Sequence, residues 1–94
     1  HLILARSNKQ EMLPMKVRVT VMLKEGVLDP QGKAIDHALQ TLGFPGVSDV
    51  RVGKVIELDV ASNDTTAVAK QAEEMASNLL ANLVIEDFKV EVLA

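Results

Sequence analysis

From Lys16 to Lys24 apolar and polar residues alternate without a break: Val17, Val19, Val21 and Leu23 fall on one side, Lys16, Arg18, Thr20 and Met22 on the other. Successive side chains of a strand point to opposite faces, so this run of β-branched residues at period two dictates a half-buried β-strand. A strand with one apolar face must be covered by another layer, and in a 94-residue chain the cover has to come from nearby segments.

Those segments are legible. Asp29-Pro30 places a capping residue before a proline at the first helical position, where the missing N–H costs nothing. Ala34, Ile35, Ala38, Leu39 and Leu42 then recur at helical spacing, and Gly43 with Phe44-Pro45-Gly46 stops the helix. Residues 47–61 form a second β region: Val50 and Val52 alternate with Asp49 and Arg51, and Ile56, Leu58 and Val60 with Glu57 and Asp59. Gly53 between the two runs suggests a hairpin turn, although one long bent strand also fits. Ser62-Asn63-Asp64 offers caps for a second helix, whose stripe is Val68, Ala72, Met75, Ala76, Leu79, Leu80 and Leu83, with Asn82 as a candidate stop. Phe88, Val90 and Val92 mark a last strand. The order is β-α-β-β-α-β, and the economical solution is an α+β two-layer sandwich of ferredoxin-like type. In it, one antiparallel sheet carries both helices on one face.

Composition limits how much core this fold can have. Hydrophobic residues are 48 % of the chain, but Phe44 and Phe88 are the whole aromatic content. An aliphatic core in so short a chain predicts self-association. Met22, Leu93 and Thr20 fall on the open side of the sheet, so that side is expected to be partly apolar and to mediate contact. Residues 1–14 lie outside the pattern. They read as a leader or expression-derived arm with the domain running over 15–94; a native arm packed on a neighbour is the other reading. The run His1-Leu2-Ile3-Leu4-Ala5 is too short to cross a bilayer and lacks the flanks of a signal peptide, so no membrane association is expected.

The search for chemistry returns little. A net charge of −3, scattered basic residues and no aromatic platform argue against nucleic acid. The absence of cysteine removes disulfides, thiolate metal sites and thiol catalysis, and is compatible with a cytoplasmic protein. Only His1 and His37 are histidines, and His37 reads as an exposed or rim residue. Asp29 and Asp64 read as caps; Glu57, Asp59, Glu73, Glu74 and Glu91 read as solvated faces, with no metal-loop spacing. Gln31-Gly32-Lys33 is too short for a phosphate loop, and Asp29 already occupies the helix N-terminus where an anion would sit. Catalytic, cofactor-binding and metal sites are therefore all expected to be absent.

Three stretches resemble the PurS family: Leu28-Asp29-Pro30-Gln31-Gly32 with His37-Ala38-Leu39, Asp49-Val50-Arg51-Val52-Gly53-Lys54, and residues 79–88 from Leu79 to Phe88. The likeness runs from Met15 to the C-terminus. It implies a non-catalytic small subunit of phosphoribosylformylglycinamidine (FGAM) synthase in purine biosynthesis, with a fold akin to ferredoxin-like domains. Its implied partners are a large ATP-dependent synthetase subunit and a glutaminase subunit, whose assembly and ammonia transfer it would promote, and the resemblance implies a homodimer or homotetramer. The small subunit would bind no cofactor itself, while the complex uses ATP, Mg and glutamine. Because they are polar and lie at turns, Asp29, Pro30, Gln31, Gly32, Arg51, Gly53 and Lys54 are the expected partner contacts. A ferredoxin-like domain regulated by a small molecule is the alternative. A stand-alone acyl-phosphate hydrolase comes last, since Glu25-Gly26-Val27-Leu28-Asp29 is acidic where a phosphate cradle would be needed.

Overall fold

In the computed structural model, which describes residues 14–93, the first strand is the middle of a three-stranded sheet. Strand β1 (Pro14–Leu23) is followed by helix α1 (Pro30–Thr41), β2 (Gly53–Ala61), α2 (Thr65–Met75), a π-helical turn over Ala76–Leu80, and β3 (Glu86–Leu93). The spatial order is β2-β1-β3, and both pairings are antiparallel. The expected leader lies outside the described residues except for Pro14, which stands opposite Ala61 as the first residue of β1.

The register explains the core. Val17 stands between Leu58 and Val92, and Val19 between Ile56 and Val90. Val21 stands between Lys54 and Phe88, so a lysine ends the apolar row of β2. Val17, Val19 and Val21 are fully buried beneath Val68, Ala72 and Ala76, an i, i+4, i+8 row that runs along α2 into the first residue of the π-helical turn. Alanine at two of these three positions lets the helix approach the sheet closely. Asp64 caps α2 by accepting the N–H groups of Thr66 (3.0 Å) and Ala67 (3.2 Å).

The α+β class stands, with two differences from the sequence reading. The strand expected at Val50 and Val52 does not form: residues 47–52 return along α1 in irregular conformation and run straight into β2, so there is no hairpin at Gly53. Further, the two helices do not share the cover of the sheet. Helix α2 packs on β1 and β3, whereas α1 makes no comparable packing and leaves Ala34, Ile35, Ala38 and Leu42 exposed. Consequently Ile56, Leu58 and Val60, on the same face of β2, are half-buried instead of buried.

The π-turn is a third feature that periodicity missed. Its wider i→i+5 spacing changes the helical phase. Leu80 and Ala81 turn onto the core, while Leu79, on the expected stripe, is 82 % exposed. Asn82 then builds the turn into β3. Its carbonyl accepts the N–H groups of Ile85 (3.0 Å) and Glu86 (2.7 Å), and its side-chain oxygen that of Val84 (3.1 Å).

The open face of the sheet is largely charged. Arg18 stands between Glu57 and Glu91 and pairs with Glu57 at 2.9 Å, and Lys16 lies 3.6 Å from Asp59. Met22 and Val55 are its exposed apolar members. The larger apolar exposures lie elsewhere, on α1, on the loops that flank it, and over residues 79–85.

Candidate functional site

The seven residues singled out in the sequence meet at the start of α1, although they come from two segments about twenty residues apart. Asp29 organises them. As N-cap, its Oδ1 accepts the Gly32 N–H at 2.8 Å, one of the donors that a helix N-terminus leaves unpartnered. Its Oδ2 accepts the Val52 N–H at 2.8 Å, which ties the returning segment to the helix start. Capping was legible from Asp29-Pro30; the bond to Val52, 23 residues away, had no sequence signal.

Arg51 completes the latch. Its Nε lies 3.9 Å from Asp29 Oδ2, and its guanidinium donates to the carbonyls of Lys24 (3.2 Å) and Leu23 (3.4 Å) at the end of β1. One arginine thereby joins the sheet, the helix start and the return segment. The N–H of Gly32 is the main influence holding the Asp29 carboxyl below its usual range. The Val52 N–H and the Arg51 charge add to it, against the opposing effect of burial.

Gly32 is a position of close approach. A side-chain carbon there would overlap the Val50 carbonyl, so α1 and the return segment can meet only where a residue has none. Gly53 plays the same role against Met22 and the Val21 carbonyl on β1. At the far end, α1 finishes in a Schellman arrangement. Gly43 has φ +96°, its N–H donates to Gln40 O (3.1 Å), and Phe44 N–H donates to Leu39 O (3.0 Å). Gln40 also donates to Val47 O at 2.7 Å, fastening the return segment to the helix a second time. Asp49, with φ 58°, supplies the bend between these anchors.

Two clefts flank the latch. One, of about 300 Å³, carries Lys33, Asp36, Asp49 and Arg51 on its walls. The other, of about 290 Å³, is lined by Pro30, Gln31, Gly53 and Lys54 with Glu86 opposite. All seven expected contact residues are thus brought together, but they are not alike. Asp29 is 6 % exposed and both its oxygens are engaged, and the Arg51 guanidinium is turned inward. Asp29 and Arg51 thus have partners within the chain, as a buried carboxylate requires. Pro30, Gln31 and Lys54 remain on the surface.

The arrangement holds a backbone in place. His37 faces solvent on α1 and lines neither cleft. Among the described residues no three His, Cys, Asp or Glu side chains are grouped as a metal would require, and no helix is long and apolar enough to cross a membrane.

Comparison with known proteins agrees with this architecture. The family profile described as PurS, phosphoribosylformylglycinamidine (FGAM) synthase, matches residues 16–94. The FGAM synthase subunit PurS of Bacillus subtilis is 49 % identical over 77 residues, covering 82 % of this chain and 90 % of that protein. The crystal structure of Methanocaldococcus jannaschii PurS superposes with a TM-score of 0.76 at 39 % identity, covering 84 % of this chain and 95 % of that one. A chain in the structure of PurLQS from Thermotoga maritima gives a TM-score of 0.80 at 28 % identity, over 87 % of this chain and 100 % of that one. A profile match over residues 16–94, together with sequence and fold similarity over more than four-fifths of the chain, places this chain in the PurS family.

Proposed function

We propose that this protein is the small, non-catalytic subunit of an FGAM synthase in purine biosynthesis. It joins a large ATP-dependent synthetase subunit to a glutaminase subunit and promotes ammonia transfer between them. The observation that carries this reading is the match over residues 16–94 to a family whose T. maritima member is found in a PurLQS structure. The site fits a scaffolding role, since its best-placed charged groups, Asp29 and Arg51, are engaged in holding backbone. ATP, Mg and glutamine then belong to the other subunits, and the cytoplasm, where purine synthesis proceeds, is the place of action. Pro30, Gln31 and Lys54 are the surface through which the latch region meets those subunits, with Asp29, Gly32, Arg51 and Gly53 shaping it from behind.

Reconstitution tests the proposal. The large subunit and the glutaminase are assayed for amidine formation with and without this chain, using glutamine or ammonia as nitrogen donor. Glutamine-driven turnover is expected to require the chain, and ammonia-driven turnover by the large subunit to proceed without it. Equal glutamine-driven rates in both mixtures would refute the assembly role.

A further inference from the structure

Where the π-turn leads into β3, Leu83, Val84 and Ile85 follow one another in the chain and all remain exposed, as does Leu79 just before them. Val84 is 83 % and Leu79 82 % exposed, which leaves both side chains almost wholly in solvent. The exposure is built in. The i→i+5 bonding of the π-turn takes Leu79 off the α2 stripe, and turns of this kind recur at functional sites. From there the backbone is pinned. The Ala81 N–H donates to Ala76 O (2.9 Å), Asn82 accepts the N–H groups of Val84, Ile85 and Glu86, and the Ile85 carbonyl accepts the Lys24 N–H at the end of β1 (2.8 Å). A backbone held in this way has little freedom left to lose when a partner covers it.

The charges around these side chains have one sign. Residues 73–87 include Glu73, Glu74, Glu86 and Asp87 and neither lysine nor arginine. Glu86 is engaged at home, accepting the Asn82 N–H at 2.7 Å, and Asp87 lies 4.0 Å from Lys24. Glu73 and Glu74 are exposed and form no ion pair among the described residues. An apolar centre with an acidic margin is complementary to an apolar pocket edged by lysine or arginine. A second copy of this chain is a poor occupant, because patch-to-patch contact would set the same carboxylates against each other. Glu86 also lines the cleft that holds Pro30, Gln31 and Lys54, so the patch continues the surface that the proposed function gives to the other subunits.

We infer that Leu79, Leu83 and Val84 form a docking knob for a partner subunit of the complex, which receives them in an apolar pocket edged by basic side chains. The inference rests on the assembly role proposed above and adds to it a second contact surface, beyond the latch. The charged open face of the sheet, with Arg18 paired to Glu57 in its own chain, stays outside this contact.

Biolayer interferometry tests this, with the full chain immobilised and the large synthetase subunit, the glutaminase or their mixture in solution with ATP, Mg and glutamine. The parent chain is expected to capture at least one of the three. Leu79→Asp and Val84→Asp should each weaken that capture by about 30-fold or more, while the thermal midpoint and the sedimentation of the isolated chain stay those of the parent. Glu74→Lys should slow association at low salt and less so at high salt. Val55→Asp, on the open face, should leave capture unchanged. Should Leu79→Asp fail to fold, Leu79→Ser takes its place, with an expected loss of about 5-fold or more. Capture by the parent that both aspartate variants leave undiminished would overturn the inference while the assembly role stands; no capture by the parent would overturn both. Weakening by Val55→Asp alone would move the contact to the open face and refute the knob. Association unchanged or hastened by Glu74→Lys would refute the basic edge of the pocket. A changed sedimentation of the isolated, folded variants would assign the patch to contact between copies and overturn the inference as well.

Discussion

Asp29 does more than its place before a proline indicates. A capping aspartate usually answers one or two amides of its own helix; here the second oxygen reaches an amide 23 residues on, with Arg51 beside it. Its carboxyl is held below the ordinary 3.8, so the folded state binds its proton less readily than the unfolded chain. The stabilisation from the ionised form is therefore complete above the unfolded value and is lost as the pH falls through the folded one. Asp29→Asn should lower stability at neutral pH, and the gap from the parent chain should close on the acid side, below about pH 4. Urea midpoints measured from pH 2.5 to 7 check this; a gap independent of pH would mean that the charge is not what matters. Gly32 makes a second case. Alanine normally favours a helix over glycine by up to about 1 kcal/mol, but here the added carbon overlaps the backbone of Val50, which has no flexible end to move. Gly32→Ala should therefore destabilise, by about 1–3 kcal/mol, and thermal unfolding will give the sign.

Among the elements, β1 and the row Val68-Ala72-Ala76 hold the interior, and the rest is arranged around them. Because Val19 is fully buried in the middle strand, Val19→Ala should cost about 2 kcal/mol or more in denaturant unfolding, through two lost methyl groups and the cavity they leave. Leu79, on the same expected helical stripe as Ala76, is the contrast. The π-turn points it outward, and Leu79→Ser should change the stability of the isolated chain by no more than about 0.5 kcal/mol. Equal losses at both positions would show that the helix continues in α phase and that Leu79 belongs to the core. The surface pairs Lys16–Asp59 and Arg18–Glu57 are exposed and contribute little to stability, so they serve register and solubility more than strength.

At the scale of the molecule, the latch region has one inward and one outward side, and charge reversal should separate them. Lys54→Glu leaves the Asp29 bonds in place, so it should weaken complex formation with the synthetase and glutaminase while the thermal midpoint stays near that of the parent. Arg51→Glu puts a carboxylate against Asp29 and frees the end of β1, so it should lower the midpoint as well. Pull-down and thermal scans on the same preparations distinguish the two, and an undiminished complex with Lys54→Glu would exclude that lysine from the contact.

How much of this was legible in the sequence follows from the range of the interactions. The strand at Lys16–Lys24, both helix starts, the Gly43 stop and the final strand were readable because alternation, capping and positive φ are decided within a few residues. The family likeness was readable for the same reason, since it lies in short runs such as Leu28–Gly32 and Asp49–Lys54. Val50 and Val52 were misread as a strand because alternation reports which residues are half-buried and cannot say where their amides bond; the Val52 N–H goes to Asp29. Likewise the stripe on α1 announced that the helix needed an apolar partner without naming one. Local propensity determined which segments of this protein become strand or helix. Tertiary structure decided the Asp29–Arg51 latch, the π-turn and the outward arm of α1, because each depends on groups that meet only when distant parts of the chain are brought together.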